Sequence, residues 1–187
     1  MATATQTSTT WVTAEDFARR PDSGLSEELV RGRIVMSPMP GARHGKVCGT
    51  LCRLLGNFAA ERDLGHVLSN DSGVITRRNP DTVRGADVSF YSYARLPRGD
   101  LPAGYSPSPP ELACEVLSPS DRWDEAIAKA GEYLGAGVLV VLVLDPEART
   151  ATVFEAAKAP VTLGAGGVLR LDAALPGFEV VVEKLFA

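Results

Sequence analysis

Residues 111–144 read ELACEVLSPSDRWDEAIAKAGEYLGAGVLVVLVL, and this stretch decides the fold. Glu111 to Leu117 has the apolar character of a buried strand. Ser118-Pro119-Ser120-Asp121 breaks it and caps a helix running from about Arg122 to Leu134. Gly135 and Gly137 end that helix. Val138 to Leu144 is an unbroken aliphatic, mostly β-branched run, the signature of a central strand covered on both faces. Strand, helix and strand in this order predict a right-handed crossover between parallel neighbours.

Upstream, Ala86 to Tyr91 alternates as a strand does. Leu96 to Pro110 holds five prolines and two glycines and reads as a long loop, functional or mobile. His66 to Leu68 and Gly73 to Thr76 read as two short strands, followed by a loop from Arg77 to Asp81. Val47, Leu51, Leu54, Leu55 and Phe58 recur at helical spacing. Leu25 to Val30 and Arg33 to Met36 flank Arg31-Gly32 as a β-hairpin. Thr13 and Asp16 have the form of a helix start for Ala14 to Arg20. Downstream, Asp145-Pro146-Glu147 turns the chain into a strand from Thr150 to Glu155. Short strands follow at 161–163, 168–171 and 178–182. The expected class is α/β: a mixed sheet flanked by helices, with an N-terminal helix and hairpin, in one domain over residues 13–187. Residues 1–12 read as a disordered tail.

The chain has 187 residues, 45% of them hydrophobic, enough for one sizeable core. Its formal net charge of -4 argues against binding nucleic acid by bulk charge, although a local patch and metal ions can do the neutralising. The three cysteines, Cys48, Cys52 and Cys114, do not form a disulfide framework. Cys48 and Cys52 are expected to be small buried hydrophobes rather than a redox pair or half a metal site. The opening residues lack the form of a signal peptide, and the longest apolar run is too short to cross a bilayer. A cytoplasmic protein with no membrane partner is expected.

Two acids stand in apolar strands, Asp87 and Glu115. A carboxylate in a buried strand is costly unless it is paired or holds a cation. Two of them on neighbouring strands can converge on one hard divalent ion. The competing reading has each acid facing solvent or pairing with an arginine. Asp121, Glu125, Lys129 and Tyr133 lie four apart and form one helical stripe. Lys129 there either stabilises charge on a phosphate or makes a solvated pair with Glu125. Tyr133 reads as packing. Arg77, Arg78 and Arg84 read as a solvated loop, with a phosphate contact as the rival. Trp123 reads as packing or a partner contact, and His66 as structural.

The ordered strings Glu28-Leu-Val-Arg-Gly-Arg-Ile-Val-Met-Ser-Pro38, Arg43-His44-Gly45, Gly85-Ala86-Asp87-Val88, Glu115-Val-Leu-Ser-Pro-Ser120, Lys129 with Tyr133, and Gly137 through Asp145-Pro146 together resemble the Uma2 family (DUF820) of restriction endonucleases. That family belongs to the PD-(D/E)xK nuclease-like superfamily, and the resemblance runs from about Thr13 to the C-terminus. It implies a restriction-endonuclease-like core in which Asp87 and Glu115 ligate the metal. The superfamily lysine stands two residues after the second acid. Leu117 holds that position here, so the resemblance implies Lys129, from the following helix, as its replacement. Glu28 and His44 match recurring family positions and are implied as supporting groups. For His44, a place at the rim of the site competes with a helix-start residue bonded to a loop. Ala86 stands where the superfamily has proline, and an aliphatic run replaces the aromatic residues that often precede Asp145-Pro146.

The expected activity is an endonuclease hydrolysing DNA phosphodiester bonds, catalysed by Asp87, Glu115 and Lys129. Its expected cofactor is Mg²⁺ or Mn²⁺, with no organic cofactor, and its expected state is a homodimer. Two rivals stand beside it. One is an inactive nuclease fold serving as a binding or regulatory module. The other is a hydrolase of small phosphate esters with Leu96 to Pro110 as its lid.

Overall fold

The computed structural model describes residues 11–21, 23–99 and 101–187. In chain order its elements are α1 (Ala14–Ala18), β1 (Ser26–Val30), β2 (Arg33–Ser37), α2 (Ala42–Glu61), β3 (Gly65–Arg77), β4 (Thr82–Ser92), β5 (Leu112–Val116), α3 (Trp123–Gly135), β6 (Val140–Asp145), β7 (Thr150–Glu155), β8 (Val161–Leu163), β9 (Val168–Arg170) and β10 (Glu179–Val181). A short 3-10 helix, Val182–Leu185, closes the chain.

The deciding stretch forms β5, α3 and β6, with β5 and β6 parallel from Leu112↔Val140 to Val116↔Leu144. The turn before α3 works differently from the expected cap. Asp121 does not cap α3; its carboxylate accepts the Ser118 N–H at 2.7 Å, and Arg122 holds the cap position without a side-chain bond. At the N-terminus the Thr13 hydroxyl accepts the Asp16 N–H as its spacing predicts. Val12 N–H donates to the Gly32 carbonyl at 3.1 Å, so residues before Thr13 already touch the hairpin. The remainder of the expected tail, residues 1–10, lies outside the described residues. Arg31 and Gly32 both take left-handed φ angles, 49° and 73°, which turn β1 into β2.

The two short strands expected at His66 and Gly73 are one strand, β3, which pairs with β4 along its length. A bulge between Ser69 and Ser72 interrupts its alternation, with Asn70 and Asp71 in the left-handed region. That break is why the apolar pattern alone divides it. The order β2-β1-β4-β5-β6-β7-β8 makes one mixed sheet, with β3 on the other edge of β4. β9 and β10 form a separate pair.

Each face of the sheet carries its own core. On one face Val47, Leu51 and Leu55 of α2 pack on Val88, Phe90, Leu112, Cys114 and Leu142, with Leu169, Leu175 and Phe178 completing the layer. On the other, Ala126, Ala130 and Tyr133 of α3 meet Ala86, Ala113, Val141 and Val143. The alanines leave room for α3 to lie close to the strands, because no long side chain holds them apart. Strand alternation then sends Glu115 to the same face as Ala113, under α3.

β4 forks. Its pairing with β1 is at Leu29↔Val83, and its pairing with β5 begins at Val88↔Cys114. Arg84, Gly85, Ala86 and Asp87 lie in the notch between these two partners, and the candidate site is built there.

Candidate active site

The notch leaves backbone N–H groups that a continuous ladder would have paired, and carboxylates take them. Gly85 N–H donates to Glu28 Oε1 at 3.2 Å, and Val116 N–H donates to Asp87 Oδ2 at 2.6 Å. Through these bonds Glu28 and Asp87 tie β1, β4 and β5 together at the notch. Gly85 is needed because a Cβ there would lie 2.9 Å from the Asp71 Cβ and 3.1 Å from its carbonyl oxygen. The β3 bulge therefore fits against a residue without a side chain and brings Asp71 to the site. Asp71 shares a hydrogen bond with Asp87, and burial and that neighbouring charge raise its pKa.

Helix α3 supplies a cation, a phenol and a further acid. Lys129 Nζ stands 3.2 Å from Glu115 Oε2 and 3.1 Å from Glu28 Oε1. Tyr133, fully buried, donates its O–H to Glu115 Oε1 at 2.7 Å. Glu132 grips Arg84 through two bonds of 2.7 and 3.0 Å, and Arg84 also reaches Glu28 Oε2 at 2.8 Å. Helix α2 adds His44, whose Nε2 lies 3.2 Å from Asp87 Oδ1, and Cys48 one turn later, with Sγ 3.4 Å from His44 Nδ1.

Burial opposes charge on Glu28, Glu115, Lys129, Arg84 and His44, and their partners decide the outcome. For Glu28 burial is outweighed by Lys129 and Arg84, which hold its carboxyl below the usual range. For Glu115 burial wins: with Asp87 and Glu28 adding repulsion, its pKa rises to about 7 despite Lys129 and Tyr133. Lys129 and Arg84 are both held more firmly protonated than usual, because their carboxylate partners outweigh the cost of burial. His44 is raised to about 10, chiefly by its hydrogen bond to Asp87 and next by Cys48.

Glu28, His44, Asp87, Glu115 and Lys129 thus line one cleft of about 750 Å³. The structure decides between the two readings of Lys129 and corrects those of Arg84 and Cys48. Lys129 does not make a solvated pair with Glu125, because α3 turns it toward the sheet. Arg84 is not in a solvated loop but in β4, with its side chain 13% exposed, since its two acids enclose it. Cys48 is not merely an apolar filler. It stands with His44 and Asp87 as a cluster whose ligand atoms lie within 4.8 Å of one another. The four-residue spacing from His44 to Cys48 was the available signal. Tyr133 packs as read but also bonds Glu115. Asp71 gave no signal, because only the bulge brings it here. None of the described residues from Leu96 to Pro110 lines this cleft. Arg95 instead pins the loop's end, donating to the Pro109 and Pro110 carbonyls at 3.0 and 2.9 Å. Trp123 is part-exposed and tilted against Phe154. His66 stacks edge-on to Tyr93.

Among the described residues, no helix is long and apolar enough to cross a membrane.

The Uma2 family model, described as "Putative restriction endonuclease", matches residues 14–183. Among solved structures, the crystal structure of "a putative nuclease belonging to DUF820 from Anabaena variabilis ATCC 29413" superposes with a TM-score of 0.82. The match covers 94% of this chain and 97% of that one at 17% identity, a likeness of fold. No curated protein matches the chain.

Proposed function

Since this chain belongs to the Uma2 family, we propose that it is a divalent-metal-dependent nuclease that hydrolyses DNA phosphodiester bonds at the cleft between β4, β5 and α3. The observation that carries this reading is the meeting of Asp87, Glu115 and Lys129 from three separate elements. The donor set fits a hard cation. Asp87 and Glu115 offer carboxylate oxygens, each with lone pairs beyond its protein hydrogen bonds. The raised pKa of Glu115 also fits, because a bound cation relieves a buried acid crowded by two others.

Asp87 and Glu115 would hold the ion, with Mg²⁺ or Mn²⁺ the best matched. When bound, the ion supplies a lowered pKa for water and charge stabilisation at the phosphate. The remaining chemistry falls to the chain. Lys129 orients the water and balances the negative charge that grows on the phosphate oxygens. Glu28 holds Lys129 from the far side, and Arg84 holds Glu28. His44 orients the Asp87 carboxylate. The attacking water forms the new P–O bond as the P–O3′ bond breaks, and O3′ leaves with a proton. A two-fold dimer would present two such clefts to the two strands of a duplex.

Asp87→Ala, Glu115→Gln and Lys129→Met are each expected to lower Mg²⁺-dependent cleavage of plasmid DNA by about 100-fold or more. Circular dichroism confirms that each variant is folded. Cleavage at wild-type rates by folded Asp87→Ala and Lys129→Met proteins overturns the reading. One observation favours the inactive-module alternative: both Glu115 oxygens already have protein partners. Calorimetric titration with Mn²⁺ separates the two, since the inactive module binds none.

A further inference from the structure

His44 and Cys48 project from one face of α2 at four-residue spacing, and Asp87 meets them from β4. Their nitrogen, sulfur and oxygen ligand atoms all lie within 4.8 Å of one another. His44 Nε2 is 3.2 Å from Asp87 Oδ1, and Cys48 Sγ is 3.4 Å from His44 Nδ1 and 4.0 Å from Nε2. A tetrahedral ion with bonds of about 2.0–2.3 Å to these donor types has ligand–ligand edges of about 3.3–3.6 Å. With Nε2 as the ligating nitrogen, its 3.2 Å to Asp87 Oδ1 matches such an edge, and its 4.0 Å to Cys48 Sγ is about half an ångström longer, a gap that a small rotation of the Cys48 side chain closes.

We propose that His44, Cys48 and Asp87 form a second metal site, for a borderline-soft transition ion of the Zn²⁺ class, which competes with the hard ion for Asp87. The competition, though not the site itself, rests on the nuclease reading above. Three features carry the proposal. Sulfur and imidazole nitrogen select ions late in the first transition row, whereas the Asp87–Glu115 oxygen pair suits Mg²⁺ and Mn²⁺. Donors four residues apart on a helix are held on one face by the backbone itself, so little ordering remains on binding. The three protein donors leave a fourth position open to water or to Asp71, which is already hydrogen-bonded to Asp87. Binding releases the Cys48 thiol proton, and the imidazolium proton where His44 is charged, to solvent. The freed lone pairs on sulfur and nitrogen form the bonds to the ion. An ion held there draws Asp87 Oδ1 away from the oxygen site, so trace Zn²⁺ inhibits Mg²⁺-dependent turnover.

Titration of the full chain with Co²⁺ tests the site directly. The expected result is a thiolate-to-cobalt absorption band in the near ultraviolet, saturating at one ion per chain and abolished by added Zn²⁺. Cys48→Ser and Cys48→Ala should lose the band while keeping the wild-type circular dichroism spectrum. Asp87→Asn should weaken Co²⁺ binding by about 10-fold or more. Cys52→Ser and Glu115→Gln should keep the band, the first because its thiol is outside the cluster and the second because its oxygens serve the other ion. No band in the wild type, or a band that survives loss of Cys48, overturns the proposal. Mn²⁺ calorimetry on Cys48→Ser reads the oxygen site separately. Its failure in both that variant and wild type counts against the nuclease reading and leaves the cobalt result standing.

Discussion

Tyr133 is fully buried, and its O–H donates to an acid whose charge burial already disfavours. Tyr133→Phe removes that bond without opening a cavity. Glu115 keeps Lys129, so the loss is expected to be about 1.5–3 kcal/mol, the range for a hydrogen bond to a charged group. Urea unfolding followed by fluorescence measures it, and a change below about 0.5 kcal/mol would mean the carboxyl accepts nothing there. His44 sets a pH dependence. Its pKa is about 10 in the folded chain against an ordinary 6.5, so the folded state holds the extra proton between those values. The stability it adds is complete below pH 6.5 and is lost as pH rises through about 10. Glu115, raised from 4.5 to about 7, makes the same sign of change at lower pH, because its folded form also binds the extra proton. In chelator, the melting temperature is therefore expected to fall from pH 6.5 to 10, with His44→Gln flattening that fall.

The elements act on the site through their edges. β4 leaves β1 after Val83 and joins β5 at Val88, and the residues between them, laddered only to β3, take side-chain partners on their free edge instead. Gly85→Ala drives a Cβ against Asp71, so either the β3 bulge or β4 must move. Overpacking of this kind costs about 1–3 kcal/mol, and cleavage is expected to fall together with stability because Gly85 N–H also holds Glu28. Helix α2 offers the contrast. A Cβ at its exposed Gly49 meets nothing within 4 Å, so Gly49→Ala should stabilise the chain by up to about 1 kcal/mol through helix propensity alone. Chemical denaturation of the two variants side by side checks both signs.

At the scale of the whole molecule, the cleft gathers Glu28, Asp71, Asp87, Glu115 and Glu132 against Arg84, Lys129 and His44, in a chain of net charge -4. A polyanion approaching this face without divalent ions meets more carboxylates than cations. DNA affinity is therefore expected to rise on adding Ca²⁺, which fills an oxygen site, and to drop again with chelator. Fluorescence anisotropy of a labelled duplex measures it, and binding that ignores both additions would place the DNA elsewhere on the surface.

The crossover of β5, α3 and β6 was legible in residues 111–144, because an aliphatic run between glycine-terminated helix and turn has few other ways to bury itself. Asp87 and Glu115 stood out as charges at positions where apolar neighbours make charge costly, whereas the helical stripe alone left Lys129 a solvated pair and only the family resemblance singled it out. Their convergence was not legible, since sequence spacing says nothing about which strands are neighbours. Arg84, Asp71 and Cys48 entered the cleft only through the fork of β4, the bulge of β3 and the approach of α2. Those are long-range arrangements, decided by how two cores pack against opposite faces of one sheet, and local periodicity carries no trace of them.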